Sequence, residues 1–314
     1  MKIGYFLSSE QFGPAELLEQ ARGAEAAGFE ALWISDHIHP WNEAQGQSPF
    51  VWSVIGALSQ AVPQLPLTTA VTCPILRIHP VIMAHAAATA AVMHPGGFTF
   101  GVGTGENLNE HVTGLPWPAV EERQARLLEA IALIRELWSG ETVDFRGRWY
   151  EAINARIYTL PENPPDIYVS AFGPQALDVA VAAGDGLITM DDDLARDFRR
   201  VEPDKPMQAG FKVCYDPDRE RAVDIAHRLW PHPLLPGQLA QELPTPSHIE
   251  QACELVDRDM VAQHTPCGPD PAASIERLEQ MRDAGFDEAY VQQIGPDTEG
   301  FFEQWSREIL PRFA

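Results

Sequence analysis

Ser35-Asp36-His37-Ile38-His39-Pro40-Trp41 packs an acid, two imidazoles and an indole into seven residues. It follows Ala31-Leu32-Trp33-Ile34, an apolar run that reads as a short buried strand, so the cluster sits where a strand runs out into a loop. A packed core has no use for that density of titratable groups, whereas a site that moves protons does. His37 is the expected centre, because imidazole exchanges a proton near neutral pH and Asp36 stands beside it. The competing reading is a histidine that merely caps the next segment. His39 reads as an orienting partner, and Trp41, beside a proline and outside a strand, as a wall against a planar ligand. Trp33 and Trp52 read as packing residues.

Other strand ends add candidates. Glu106 lies in Gly103-Thr104-Gly105-Glu106-Asn107-Leu108-Asn109-Glu110, where glycines let backbone approach a flat or anionic ligand. It could equally be an acid favoured at a helix N-terminus. Glu10, in Ser8-Ser9-Glu10, is a weaker candidate, since acids are ordinarily exposed. Gly101-Val102-Gly103-Thr104-Gly105 follows a middle strand and lacks the dinucleotide spacing, which excludes a Rossmann nicotinamide site. Ser170-Ala171-Phe172-Gly173-Pro174 reads as strand end, loop and first helical turn, where free backbone amides suit a phosphate. A plain strand-to-helix turn is its other reading.

The elements that must position these groups alternate. Strands are expected at 2–6, 31–34, 67–71, 98–102, 167–170, 186–189, 210–214 and 289–292. Between them lie amphipathic stretches at helical spacing, among them 14–27, stopped by Gly28, 121–138, and 272–284, stopped by Gly285. Eight strands alternating with helices predict a (β/α)8 TIM barrel, with a doubly wound sheet as the rival. One barrel domain is expected over 1–314, with insertions at about 142–160 (a hairpin) and 230–265 (a lid or substrate-binding segment).

The net charge of −23, from 45 acidic and 22 basic residues, argues against nucleic acid and anionic membrane surfaces as partners. No apolar run reaches membrane-span length, and a cytoplasmic location is the default expectation. Cys73, Cys214, Cys253 and Cys267 match neither a disulfide framework nor a zinc site, so buried free thiols and no metal are expected.

Ser35 to Trp41, Gly101 to Glu110 and Ala183-Gly184-Asp185-Gly186 together resemble the luciferase-like barrel oxidoreductases. The resemblance is to the deazaflavin-dependent group related to glucose-6-phosphate dehydrogenase, which uses coenzyme F420. Ser9-Glu10-Gln11-Phe12, Leu137-Trp138-Ser139-Gly140 and Val143-Asp144-Phe145 support it, and it runs through Ile309-Leu310-Pro311-Arg312. It implies a deazaflavin across the barrel mouth, a small-molecule substrate and a homodimer. It gives His37 as base toward the substrate hydroxyl, Trp41 as its neighbour, Glu106 as the acid toward the reduced ring and Glu10 as a further acid. Asp36, Thr104, Asn109 and the loop of Ser170, Ala171, Phe172, Gly173 and Pro174 would hold the cofactor, with a cis peptide at Ala70-Val71 under the ring.

The departures bear on substrate. Two lysines that hold phosphate in the sugar-phosphate members align with Asp193 and Gln251, and Asp191-Asp192-Asp193 reads as an anion-repelling run. Glucose 6-phosphate is therefore not the expected substrate. The chemistry implied is reversible hydride transfer between a carbinol carbon and C5 of the deazaflavin. An FMN-dependent monooxygenase is the alternative, and a non-catalytic flavin- or deazaflavin-binding protein the third.

Overall fold

In the computed structural model, which describes residues 1–313, the strands are β1 (Lys2–Leu7), β2 (Leu32–Ile34), β3 (Leu67–Thr69), β4 (Phe98–Val102), β5 (Val143–Arg146), β6 (Glu151–Ala155), β7 (Ile167–Ser170), β8 (Gly186–Ile188), β9 (Met207–Val213) and β10 (Glu288–Gln293). All but β5 and β6 close into one parallel barrel, in the order β1-β10-β9-β8-β7-β4-β3-β2. The expected eight-stranded barrel is the observed fold, and the doubly wound sheet falls away. β5 and β6 pair antiparallel as a separate hairpin within the first expected insertion.

The helices are α1 (Pro14–Ala27), α2 (Val51–Ala61), α3 (Pro80–Met93), α4 (Asn107–Glu110), α5 (Val120–Leu137), α6 (Pro174–Ala183), α7 (Asp192–Val201), α8 (Arg219–Leu229), α9 (Leu239–Glu242), α10 (Pro246–Cys253), α11 (Arg258–His264), α12 (Ala272–Ala284) and α13 (Thr298–Gln304). α1 starts on a proline that needs no N–H and stops at Gly28, whose φ of 97° is left-handed. α5 buries Leu127, Ala130, Ile131, Ile134 and Leu137 on one stripe, as its spacing requires. None of the described helices is long and apolar enough to cross a membrane.

The barrel interior is aromatic and polar rather than aliphatic. Trp33 stacks on Tyr290 at 4.3 Å and 11°, and Phe6, Tyr168 and Ile188 surround them. The indole N–H of Trp33 donates to Gln208 at 2.9 Å. Gly210, next inward on β9, makes room for that indole, since a Cβ there would lie 2.5 Å from Trp33 Cζ3.

Two strand bounds differ from the sequence reading by two residues or more. The third strand was expected to reach 71 but ends at Thr69, and the peptide that follows, Ala70-Val71, is cis. β9 begins at Met207 rather than 210, because Asp287 accepts from the Met207 N–H at 2.8 Å and Gln208 finds its partners inside the barrel. Of the thiols, Cys73 and Cys214 are buried as expected. Cys253 and Cys267 are only half-buried, because they belong to the 230–265 segment and its edge rather than to the barrel wall.

Candidate active site

At the strand ends, β1 delivers Glu10 and β2 delivers His37. The expectation of an exposed Glu10 fails: its residue is 2% exposed. Both Ser8 Oγ (2.8 Å) and Ser35 Oγ (2.7 Å) donate to its Oε2. Its other oxygen, Oε1, faces His37 Nε2 at 3.5 Å, so the β1 acid and the β2 imidazole form one pair.

Asn109 fixes the other side of the ring. Its Oδ1 accepts from the backbone N–H groups of Ile38 (3.0 Å) and His39 (3.2 Å). Only an amide oxygen can accept two N–H bonds, so the Nδ2 side must face His37 Nδ1 at 2.9 Å and Glu106 Oε2 at 3.3 Å. Nδ1 of neutral His37 then accepts, and its single proton sits on Nε2, toward Glu10. The His39 carbonyl lies 3.1 Å from the same Nδ1, ready to take a proton bond when the ring is doubly protonated. The His39 ring is itself held, its Nδ1 3.0 Å from the Leu108 carbonyl oxygen.

Glu10, His37, Trp41, Glu106 and Asn109 therefore meet at one mouth. Asp36 lies behind them. Its carboxylate is held by Arg77 Nη2 (2.8 Å) and Thr72 Oγ1 (2.8 Å), with the side chain 1% exposed. Thr104, at the edge of the same loop, and Ser170 are half-buried, Ala171 is buried, and Phe172 is exposed. Gly173 precedes the Pro174 that opens α6, and among the described residues no side chain caps that helix, so its first-turn amides are free.

Reading the sequence missed Arg77 and Glu110, which lie under this loop. The Arg77 N–H donates to Glu110 Oε2 at 2.8 Å, and its guanidinium lies 3.7 Å from Oε1. Burial raises the Glu110 carboxyl to about 7, with Arg77 opposing. Gly105 (φ 72°) closes the cluster, because a Cβ there would press on Cys73 Sγ at 2.8 Å. Between pH 4.5 and about 7 the folded state keeps the Glu110 proton that the unfolded chain releases. The stability this group contributes is therefore full below about 4.5 and lost as pH rises through about 7. In Glu110→Gln the fall in unfolding free energy over that window should flatten, as read by urea titrations at stepped pH. An unchanged slope would locate the titration elsewhere.

Also missed were Trp230, His232, Lys212 and Gln292. Trp41 stacks on His232 at 4.1 Å and 14°, and His232 leans on Trp230 at 5.2 Å. Burial, then Lys212 and His37, hold the His232 imidazole well below its ordinary value and so neutral. The 230–265 segment thus supplies a wall of the mouth. The loop carrying Trp41 is tied to the residue just before that segment, with Asn42 Nδ2 (3.0 Å) and Gln45 Nε2 (2.8 Å) donating to the Leu229 carbonyl. Parity along β9 was the available signal for Lys212, since Gln208 and Gly210 share its face.

The acidic run after β8 does not act as three bare charges. Asp191 caps α7, Asp192 grips Arg277 through two bonds of 2.8 and 3.0 Å, and Asp193 pairs with Arg196 at 2.6 Å. The expected repulsion is thereby softened, but Arg277 is occupied. Gln251 is exposed and bonds Ser247. A cavity of about 560 Å³ opens beside these groups, lined by Met190, Lys212, Trp230, Leu234, Cys267 and Arg277. A cleft of about 640 Å³ by α1 and α13 is larger but lies away from the strand ends.

The chain matches the luciferase-like monooxygenase family over residues 1–288. It is 35% identical over 328 residues to the F420-dependent glucose-6-phosphate dehydrogenase of Beutenbergia cavernae, covering 99% of this chain and 97% of that one. The enzyme of the same name from Nakamurella multipartita is 36% identical, covering 99% and 96%. Among solved structures, an F420-dependent secondary alcohol dehydrogenase in complex with an F420-acetone adduct superposes with a TM-score of 0.92 at 30% identity, covering 100% of this chain and 99% of that one.

Proposed function

The chain belongs to the luciferase-like monooxygenase family, and on that premise we propose that it is an F420-dependent oxidoreductase that moves a hydride between an alcohol or its carbonyl counterpart and the deazaflavin. The observation that carries this is the Glu10–His37 pair at the strand ends, with Asn109 dictating the imidazole's hydrogen. A site for alcohol oxidation needs one group to take the hydroxyl proton as hydride leaves.

The residues present fit the coenzyme. Gly103, where a Cβ would lie 2.8 Å from Val71 Cγ2, leaves the ledge at Ala70 and Val71 uncovered as a flat bed. The free amides at the start of α6 suit its phosphate, with Ser170, Ala171, Phe172 and Gly173 around them. Thr104 and Asn109 would border the ring, and Glu106 would be the acid beside it. When bound, the deazaflavin supplies the hydride acceptor at C5.

The chain's own residues do the rest. His37 Nε2 takes the hydroxyl proton as it passes its own to Glu10 Oε1, and in the reducing direction both transfers reverse, Nε2–H giving its proton to the carbonyl oxygen and Glu10 restoring it. Trp41, His232 and Trp230 keep water from the reacting carbon. Asp36 supports the loop that carries His37.

The substrate is proposed to be a small alcohol or ketone rather than a sugar 6-phosphate. Arg277 is already engaged by Asp192, and Asp193 stands where the sugar-phosphate members have a lysine. We place the enzyme in the cytoplasm as a homodimer. The exposed apolar face of α3, with Ile82, Val92 and Met93, is suited to a second copy.

Anaerobic mixing with F420 and a panel of neutral and phosphorylated alcohols tests this. Neutral secondary alcohols should bleach the deazaflavin and glucose 6-phosphate should not. Turnover of glucose 6-phosphate would overturn the substrate assignment, and oxygen uptake with reduced FMN would favour the monooxygenase. Binding without bleaching would leave the non-catalytic reading.

A further inference from the structure

The chain has three lysines, Lys2, Lys205 and Lys212. Lys2 pairs with Glu288 at 3.2 Å, and Lys205 with Glu202 at 3.1 Å. Lys212 has no such partner. Among the described residues no oxygen acceptor lies within hydrogen-bond distance of its Nζ and no carboxylate forms a salt bridge with it. What it has is a face of Trp230 at 4.6 Å and the edge of a contact with Phe6 at 6.0 Å.

Its position is inside the barrel, near the mouth. Residues two apart on a strand share a face, and Gln208 and Gly210 both abut the interior Trp33. Lys212 is the next step on that face. Its register partner on the adjacent strand is Gln292, which is 0% exposed and whose Nε2 and Oε1 both lack a partner among the described residues. A buried carboxamide with neither end bonded is rare in a folded protein and asks for a partner. Burial lowers the Lys212 ammonium to about 8, with Glu10 opposing, so it still carries charge at neutral pH. Arg277 and Arg219, the other cations lining the cavity, are paired with Asp192 and Glu220.

We propose that Lys212, with Gln292 beside it, is the specificity-determining subsite for a second oxygen of the substrate, so that the preferred substrates carry a hydroxyl or carboxylate acceptor beyond the reacting carbon. This rests on the reading of the chain as an F420-dependent alcohol oxidoreductase. The aromatic line Trp41–His232–Trp230 runs from His37 to Lys212 and sets the two ends between which such a substrate lies.

The test compares sec-butanol, the vicinal butanediol and the corresponding β-hydroxy acid as F420-reducing substrates. Wild type should favour at least one oxygen-bearing compound over sec-butanol in kcat/KM by about tenfold or more, the effect of one hydrogen bond to a charged group. If the diol gains, the acceptor is a hydroxyl, and if the acid gains, a carboxylate. In Lys212→Met the ratio should collapse toward one, and Lys212→Gln, a neutral donor, should fall between. A wild-type ratio near one, or a ratio that survives Lys212→Met, overturns the proposal. Cofactor binding is followed separately by quenching of F420 fluorescence. If F420 does not bind, the functional reading fails on its own. The subsite is then judged by calorimetry of the same three compounds on the cofactor-free wild type and Lys212→Met, where equal binding by both proteins refutes it.

Discussion

His37→Ala is expected to lower kcat by about 10²–10⁴-fold, the usual worth of a positioned proton-transfer group, with the F420 dissociation constant nearly unchanged. The ring touches Glu10, Asn109 and Trp41, of which only Asn109 would also border the deazaflavin, and its removal leaves the α6 amides and the Ala70-Val71 ledge in place. Stopped-flow bleaching gives the rate, and fluorescence quenching gives the affinity. Equal loss of both would make His37 a scaffold residue. His37→Gln separates the cases further: its amide can still meet Asn109 but cannot shuttle a proton, so it should bind F420 and stay slow.

Arg77→Met should cost about 3–5 kcal/mol of stability, because it strands two buried carboxylates. Asp36 and Glu110 side chains are each 1% exposed, and Arg77 is the cation that both face. Against a folding free energy of about 5–15 kcal/mol that is a large fraction. Urea denaturation with an unchanged m-value would measure it. The deficit should shrink as the pH falls toward about 7 and hold steady below it, since without Arg77 the Glu110 carboxyl takes its proton at a higher pH than in the wild type and only Asp36 then remains unpaired. A midpoint shift worth less than about 1 kcal/mol would mean that water reaches the cluster and screens it. Because Asp36 immediately precedes His37, turnover should fall as well.

The barrel was legible because its strands are apolar runs at regular intervals, and His37, Trp41 and Glu106 because each stands where such a run ends. Glu10 was undervalued, since nothing local announces that serines from two strands, Ser8 and Ser35, will bury it. Asp36 read as the acid beside His37 and a cofactor contact, because its partner, Arg77, is 41 residues away. Lys212 and Gln292 were hidden for a different reason. They interrupt strands that must face an interior, and a polar residue there reads as a flaw in the pattern until the register sets the two side by side. Trp230 and His232 lay in a proline-rich stretch whose path no periodicity defines, so their return to Trp41 could be seen only in the closed fold.

The bonds from Asn42 and Gln45 to the Leu229 carbonyl, with the Trp41–His232 stack above them, have a consequence for engineering. Specificity and proton transfer are not separable modules in this chain. Transplanting the 230–265 segment from a relative would alter the footing of the loop that presents His37, and a graft that retunes the substrate must carry residues 41–45 along with 229–232 as one cassette.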